Sequence, residues 1–461
     1  MGALDWWGTP RALETLEGSP VSCLVVTWAE GSAGDAAHQR ALAPLAAAAR
    51  QRGLSVVGWV SAEADLRQAA ASAEVSGLDA LATESTEPLD GFEVLRFAEV
   101  GARQRSGFVG ISGAPWPGMS MGGFPFGGDI DASTGPTGPP WIDSNAWRVR
   151  VARELEGAQT VWVAFDPPQE SRRPLRASSY VQALADTAIH GGRWMISLDP
   201  SLRDGLARQE SAARSVWGEI GRGLAFFAEH RAWSHYRPVG HLGVVSDFAG
   251  DDAFLSLEIL NLLSRQSSLY RIVEKDHALD EPFDGLKAVL FVDADTPGPD
   301  LRRKLYSFAE EGGTLITPPG WEARGTEIEH AWPPRFRVFR YGEGRLAVAR
   351  EEISDPYVLA DDAQLLLSHR HDGVRLFNAM GTLSHYGLSG DESSGVLHLV
   401  SFFSLFSAVP LTVWFRRGWA SARLWVPGSG EAATAERRAA EPGVEFHLEK
   451  VPGYGALEVS T

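Results

Sequence analysis

Between about residue 20 and residue 235, short apolar, β-branched runs alternate with longer stretches of helical periodicity. That alternation predicts a mainly parallel sheet covered by helices, because parallel neighbours need long crossovers and strands buried on both faces read as continuous apolar runs. The predicted strands lie at 23–28, 54–60, 78–83, 92–97, 108–112, 160–165 and 194–198, with a further short one around 141–143. Helices are predicted at 35–52, 63–73, 145–156, 180–190 and 211–228. Seven or eight strands over about 215 residues is the strand count of a (β/α)8 barrel. Between 92 and 143 little chain remains for crossover helices, so the domain expected over residues 1–235 is an irregular (β/α)8, TIM-type barrel.

Near Arg237 the pattern resets. Strands at 240–246, 270–274, 288–292 and 313–317 alternate with helices at 252–264 and 300–311, which predicts a flavodoxin-like, doubly wound α/β domain over 236–330. From residue 336 helical periodicity mostly disappears. Runs at 345–349, 396–402, 411–416, 422–426, 444–448 and 456–459 are separated by turn residues, the pattern of an antiparallel β-sandwich over 331–461.

A length of 461 residues suits three domains. The net charge of −17 makes phosphate backbones and anionic lipid poor partners, so neither nucleic acid nor a membrane surface is expected. No run approaches the roughly 18 apolar residues of a membrane span, and residues 1–18 show no basic stretch leading into an apolar one. The chain therefore reads as soluble. Its single cysteine, Cys23, suits the cytoplasm or a disulfide-free exported protein, and rules out an intrachain disulfide and a thiolate metal cluster. Neither Gly-x-Gly-x-x-Gly nor a Walker A motif occurs, so no nucleotide cofactor is indicated, and no metal is expected. Residues 113–140 hold 8 Gly and 6 Pro with Asp129 and Asp131 as the only charges, which forbids regular structure. With Trp116, Phe124, Phe126 and Trp141 nearby, that segment reads as an ordered wall over a cavity mouth.

Residues 288–318, AVLFVDADTPGPDLRRKLYSFAEEGGTLITP, run from an apolar strand through a helix ending in Glu-Glu-Gly-Gly to a second apolar strand. This segment resembles the middle, trimerisation domain of family 42 type β-galactosidases, which is itself similar to the class I glutamine amidotransferase fold. Those enzymes place a (β/α)8 barrel before that domain and a β-sandwich after it, the order inferred above. The resemblance implies glycoside hydrolysis without a cofactor, and a homo-oligomer, a trimer in that family. Two departures stand out. The amidotransferase nucleophile is a Cys after the third strand, where this chain has Asp293-Ala294-Asp295; glutamine hydrolysis is excluded there. The galactosidases carry an Asn-Glu pair after strand 4; here the fourth and fifth strands end in Phe97-Ala98-Glu99 and Ser112-Gly113-Ala114, and no Asn-Glu dipeptide occurs.

Barrel enzymes collect their catalytic groups at the C-terminal ends of strands. Those ends supply Glu30, Glu84, Asp143, Asp166 and Asp199. Glycoside hydrolysis needs two carboxylates flanking the scissile bond, and these five are the catalytic candidates. Four have a plainer reading: Asp143 caps a helix, Asp166 and Asp199 precede Pro and mark turns, and Glu30 caps the helix beginning near Asp35; Glu84 lies in a polar run directly after an apolar strand. Indole faces stack on pyranose rings while amides and carboxylates bind hydroxyls, so Trp28, Trp116, Trp141, Trp147, Asn145 and Asp131 are the expected carbohydrate-binding residues. Trp59, Trp162 and Trp194, inside predicted strands, are expected in the core. Two readings stay open: a glycoside hydrolase, or a carbohydrate-binding or scaffold protein that has lost the catalytic pair.

Overall fold

The computed structural model describes residues 6–100, 107–119, 125–126, 130–131, 142–168, 174–402 and 410–461. The chain forms two compact units, one of Met1–Gly118 with Asp143–Ser234, the other of Met119–Ile142 with His235–Thr461.

The first unit is built on a seven-stranded sheet: β1 (Cys23–Ala29), β2 (Ser55–Val60), β3 (Ala80–Thr83), β4 (Val94–Ala98), β5 (Phe108–Ile111), β6 (Thr160–Ala164) and β7 (Gly192–Met195). Each strand pairs in parallel with the next in chain order, the singly wound connectivity of a barrel. Its helices are α1 (Asp35–Gln51), α2 (Leu66–Ser76), α3 (Ala146–Glu156), α4 (Ala177–Ala188), α5 (Pro200–Ala207) and α6 (Ser211–Glu229). Local chemistry sets the ends of α2. The Asp65 carboxylate accepts from the Arg67 and Gln68 N–H groups, and Gly77 closes the helix at φ 71°, a conformation that costs glycine little.

The period-two alternation assigns two faces to this sheet. Val56, Val60, Leu81 and Trp28 pack under α1 and α2, and Val109, Ile111, Val161, Val163 and Trp194 pack under α3 to α6. The residues between them, Cys23, Val57, Trp59, Ala80, Ala82, Leu95, Phe97, Phe108, Trp162, Ala164 and Met195, line the concave side. Arg193 on β7 acts electrostatically on the Cys23 thiol on β1, so the sheet curls until its two edges approach.

Among the described residues this sheet has seven strands, within the seven or eight expected of an irregular (β/α)8 barrel. Among the described residues β1 and β7 do not pair, and the predicted strand at 141–143 is only a two-residue bridge, Ile142–Asp143, outside this sheet. No helix separates β3 from β4 or β4 from β5 among the described residues, the irregularity the short middle segment foreshadowed. The helical layer closes where the strands do not. A 3-10 helix at Pro10–Leu16 packs on α1, the Trp217 indole of α6 donates to Thr15 O at 2.5 Å, and the Trp7 indole donates to Arg203 O.

In the second unit, β8 (Leu242–Ser246), β9 (Tyr270–Glu274), β10 (Ala288–Phe291) and β11 (Thr314–Thr317) are parallel and flanked by α7 (Ala253–Arg265) and α8 (Pro299–Glu310). The same sheet takes up β12 (Phe336–Tyr341) and β13 (Gly344–Ala349), followed by α9 (Pro356–Leu367). The sheet order is β9-β8-β10-β11-β13-β12, with Thr326–Glu327 at the edge; its five parallel strands follow the flavodoxin-like order 2-1-3-4-5. The run at 345–349, expected in the sandwich, is thus the fifth parallel strand. Its Leu346, Ala347, Val348 and Ala349 are all buried, as a strand covered on both faces requires, and Gly342 at φ 57° lets β12 fold back beside it.

The longer strands that remain are β14 (Val374–Phe377), β15 (Thr382–Leu388), β16 (Ser394–Ser401), β17 (Leu411–Phe415), β18 (Ser421–Trp425), β19 (Glu436–Ala440), β20 (Gly443–Leu448) and β21 (Tyr454–Ser460). They form two antiparallel sheets, one containing β15-β16-β21-β18 and the other β14-β17-β20-β19. Leu397, Leu399 and Leu457 of the first meet Val413, Phe415, Val444 and Phe446 of the second in one core, with Trp419 fully buried between them.

Candidate active site at the strand ends

The alternation that sorts β3, β4 and β6 into two faces carries on past their last residues. On β3, Ala80 and Ala82 face the concave side, so Glu84 follows them. On β4, Leu95 and Phe97 do, and Glu99 follows; on β6, Trp162 and Ala164 do, and Asp166 follows. All three carboxylates are exposed. The loop carrying Glu84 is held in place: the Ser85 N–H donates to Thr83 Oγ1 at 3.1 Å, and the Arg96 guanidinium on β4 donates to the carbonyls of Ser85 and Glu87. Glu99 lies over the end of β5. A Cβ on Gly113 would sit 3.7 Å from its Cγ and Oε1, and Gly113 at φ 66° needs glycine in any case. Glu99 is not among the carboxylates expected from the sequence; the signal that finds it is the alternation of β4, which puts residue 99 on the same side as Leu95 and Phe97.

The other predicted residues are placed differently. Asp199 is buried and caps α5: its carboxylate accepts from Ser201 N–H at 3.0 Å, Leu202 N–H at 3.2 Å and the Tyr180 hydroxyl at 2.7 Å. Burial drives the Tyr180 phenol well above its ordinary range. Glu30 is exposed, and Asp35 rather than Glu30 closes that turn, accepting from the N–H groups of Glu30, Gly31 and Ser32. Asp143 is half-buried just before α3. Trp28 is fully buried, its indole N–H shared between Ala69 O and Ser72 Oγ. Its parity, shared with Leu24 and Val26, puts it under the helices. Trp147 is buried with the Arg148 guanidinium 4.3 Å from its ring centre. Trp116 stays half-exposed, held by Phe165, Tyr180 and Trp194 at 5.8, 5.6 and 5.3 Å between ring centres. Trp141 and the Asp131 side chain lie outside the described residues.

Asn145 is buried, donates from Nδ2 to Pro115 O at 2.8 Å, and leaves its Oδ1 without a donor. Its backbone N–H meets Asp186 at 2.5 Å, and the Ser144 hydroxyl meets the same carboxylate at 2.6 Å. Burial pushes Asp186 up from 3.8 to about 6, against the pull of those hydrogen bonds and of Arg148. A carboxyl whose folded pKa is raised holds its proton more tightly when folded. Its favourable contribution is complete below about 3.8 and lost as pH rises through about 6. Asp186→Asn is expected to flatten this dependence and to raise the melting temperature at pH 8, by up to about 3 kcal/mol of stability. A thermal-melt series across pH checks it; a variant no more stable than wild type at pH 8 would contradict it.

Burial, reinforced by Asp79, pushes the Cys23 thiol up to about 11, with Arg193 opposing. At pH 8 its alkylation should be about a hundredfold slower than that of an unperturbed cysteine, measurable by mass spectrometry. Among the described residues no group of three His, Cys, Asp or Glu is placed to hold a metal ion, and no helix is long and apolar enough to cross a membrane.

A curled, singly wound parallel sheet followed by an α/β unit and antiparallel sheets is a glycoside-hydrolase-like fold. Over 100% of this chain and 96% of the other, it is similar to the α-L-fucosidase isoenzyme 2 from Paenibacillus thiaminolyticus, at a TM-score of 0.59 and 10% identity. A β-galactosidase from Bacillus circulans sp. alkalophilus aligns over 93% of this chain and 68% of its own, at a TM-score of 0.46 and 10% identity. At such identities the likeness shows the fold alone. No family model and no curated protein sequence matches.

Proposed function

We propose that the chain is a glycoside hydrolase whose catalytic carboxylates are drawn from Glu84, Glu99 and Asp166. The supporting observation is their shared parity: three exposed carboxylates follow the concave-facing positions of β3, β4 and β6. Neighbouring strands lie about 4.8 Å apart. Glu84 and Glu99, on adjacent strands, suit the separation of about 5 to 5.5 Å at which the second carboxylate attacks carbon and forms a glycosyl intermediate. Glu99 and Asp166, two spacings apart on a curled sheet, suit the separation of about 6.5 to 9.5 Å that admits a water. Glu99 belongs to both pairs, so product stereochemistry names its partner: retention assigns Glu84, inversion Asp166. Proton NMR of the first-formed anomer distinguishes them. Asp143 is a further carboxylate for the same mouth, and Trp116 the sugar-stacking platform.

A second reading, carbohydrate binding without turnover, draws on Asp199 and Asp186, strand-end and core carboxylates already engaged by cap and backbone hydrogen bonds. Calorimetric oligosaccharide binding with no hydrolysis across a broad panel of glycosides would favour it. The homo-oligomer implied by the family resemblance is tested by light scattering, where a monomer at micromolar concentration removes it.

A further inference from the structure

The second unit gathers cations at the N-terminal ends of its parallel strands. Lys287 immediately precedes β10 and Arg345 is the second residue of β13, the strands on either side of β11. The Thr314 N–H donates to Lys287 O and the Arg345 N–H to Gly313 O, so both residues flank the start of β11. A 3-10 helix at His369–His371 adds Arg370 and His371, and Arg416 directly follows β17. The Arg416 guanidinium donates to Asp372 O at 2.8 Å and to Arg370 O, which pins that turn against the strand end.

These charges converge without a counter-charge. Burial, and then the charges of Arg370, Lys287, Arg345 and Arg416, hold the His371 imidazole below its ordinary range. Arg345 is half-buried; burial lowers its pKa and Arg370 adds to that. Its Nη2 donates to Thr314 Oγ1 at 3.2 Å and Leu366 O at 2.8 Å, leaving Nε and Nη1 without an acceptor among the described residues. Asp372, the carboxylate on this turn, is taken by Arg375 and His369, each at 3.0 Å. Among the described residues none of Lys287, Arg345, Arg370 and Arg416 has an ion-pair partner, in a chain with 59 Asp and Glu against 42 Lys and Arg. Like charges held together, one of them half-buried, cost stability that an anion would recover.

We propose that this cluster binds a phosphate dianion, free or as a monoester, on the side chains of Lys287, Arg345 and Arg370. His371 supplies a further donor: the Arg370 Nε–H donates to its Nε2 at 3.1 Å, so the neutral ring carries its proton on Nδ1. Arginine forks match phosphate oxygens and lysine adds a point charge. A single carboxylate would leave most of these cations uncompensated. All four act on one imidazole rather than along a stripe, which suits one compact dianion and not a polyanionic chain.

The test is calorimetry on the full chain at pH 8, where inorganic phosphate and glucose 6-phosphate are both mainly dianions, against acetate and glucose. Saturable binding of either phosphate, at least about tenfold tighter than acetate and about tenfold weaker in Lys287→Gln and in Arg370→Gln, supports the site. Binding of glucose 6-phosphate identifies a monoester source, and its exclusion the free ion. Both substituted side chains are exposed, so the variants keep the fold, checked by an unchanged thermal melt. Lys450→Gln, at an exposed cation after β20, should bind as the wild type does. A bound dianion offsets the surrounding cations, so the His371 titration followed by proton NMR should move upward with phosphate and stay in place with glucose. Binding of neither phosphate, acetate bound as tightly, equal binding by Lys287→Gln and Arg370→Gln, an unmoved His371 titration, or the same loss in Lys450→Gln overturns the proposal. The site lies within the second unit and does not rest on the hydrolase reading: Glu99→Gln should bind phosphate unchanged.

Discussion

Glu99→Gln is expected to lower kcat/KM on aryl glycosides by about a thousandfold or more, with the thermal melt unchanged. The amide keeps the shape of the side chain but can neither donate a proton to a leaving group nor attack carbon, and general acid–base catalysis alone accounts for about 10²- to 10⁴-fold. Glu99 is exposed over Gly113 and has no packing role to lose, so a fall in activity with an intact melt isolates chemistry from folding. Glu84→Gln should cause a loss of similar size if hydrolysis is retaining, and Asp166→Asn if it is inverting. Wild-type rates in Glu99→Gln, on a substrate the wild type cleaves, would remove Glu99 from the mechanism. Azide rescue of Glu84→Ala activity, giving a glycosyl azide of inverted configuration, would assign Glu84 as the nucleophile, whereas an azide of retained configuration would assign it as the acid/base.

Much of this arrangement is legible in the chain, because alternation and apolar runs are local signals. All seven strands of the first sheet overlap predicted runs, β7 only at Trp194 and Met195, and the doubly wound α/β character of the next domain follows from four apolar strands punctuated by two helices. Where the reading departs from the structure, the cause is an interaction that local pattern does not carry. Asp199-Pro200 has the same sequence form whether it caps a helix or faces a substrate; only its burial against Tyr180 decides for the cap. Trp28 sits one residue from a strand end, yet its parity with Leu24 and Val26 sends it under α2. That parity was available in the sequence, and it also singles out Glu99. Which sheet edges meet is a non-local fact: among the described residues β1 and β7 do not pair, and the 3-10 helix that closes the outer layer lies some 200 residues from its partner on α6. The run at 345–349 is as apolar as a sandwich strand, and only its pairing with β11 assigns it to the α/β sheet.

Asp293→Ala is expected to destabilise the second unit by about 3 to 5 kcal/mol, the cost of breaking a buried pair from one side. Asp293 follows β10 at the point where the order of the flavodoxin-like sheet reverses, between β8 and β10. Almost fully buried, it accepts from the Ser246 hydroxyl at 2.5 Å, from the Asp247 N–H at 3.3 Å and from the Lys275 ammonium, and so joins the ends of β8, β9 and β10. Burial lowers the Lys275 pKa, but its bonds to Asp293 and Asp247 outweigh that and raise it overall. A lysine raised in the folded state contributes stability below its ordinary pKa and loses it only as pH rises through the folded value, so the deficit of Asp293→Ala should stay constant from pH 6 to pH 9. Asp293→Asn keeps the acceptor for Ser246 and should lose less. Denaturant unfolding of wild type and both variants measures the difference, and an Asp293→Ala protein as stable as wild type would show that Lys275 finds an equivalent partner in Asp247. The position also bears on chemistry. A class I amidotransferase needs a cysteine at this turn, exposed to its substrate; here a sealed carboxylate ties three strands together. Asp293→Cys would lose those ties, and it is expected to yield a destabilised protein without glutaminase activity, since a buried thiol facing Lys275 and Ser246 has no open face for glutamine.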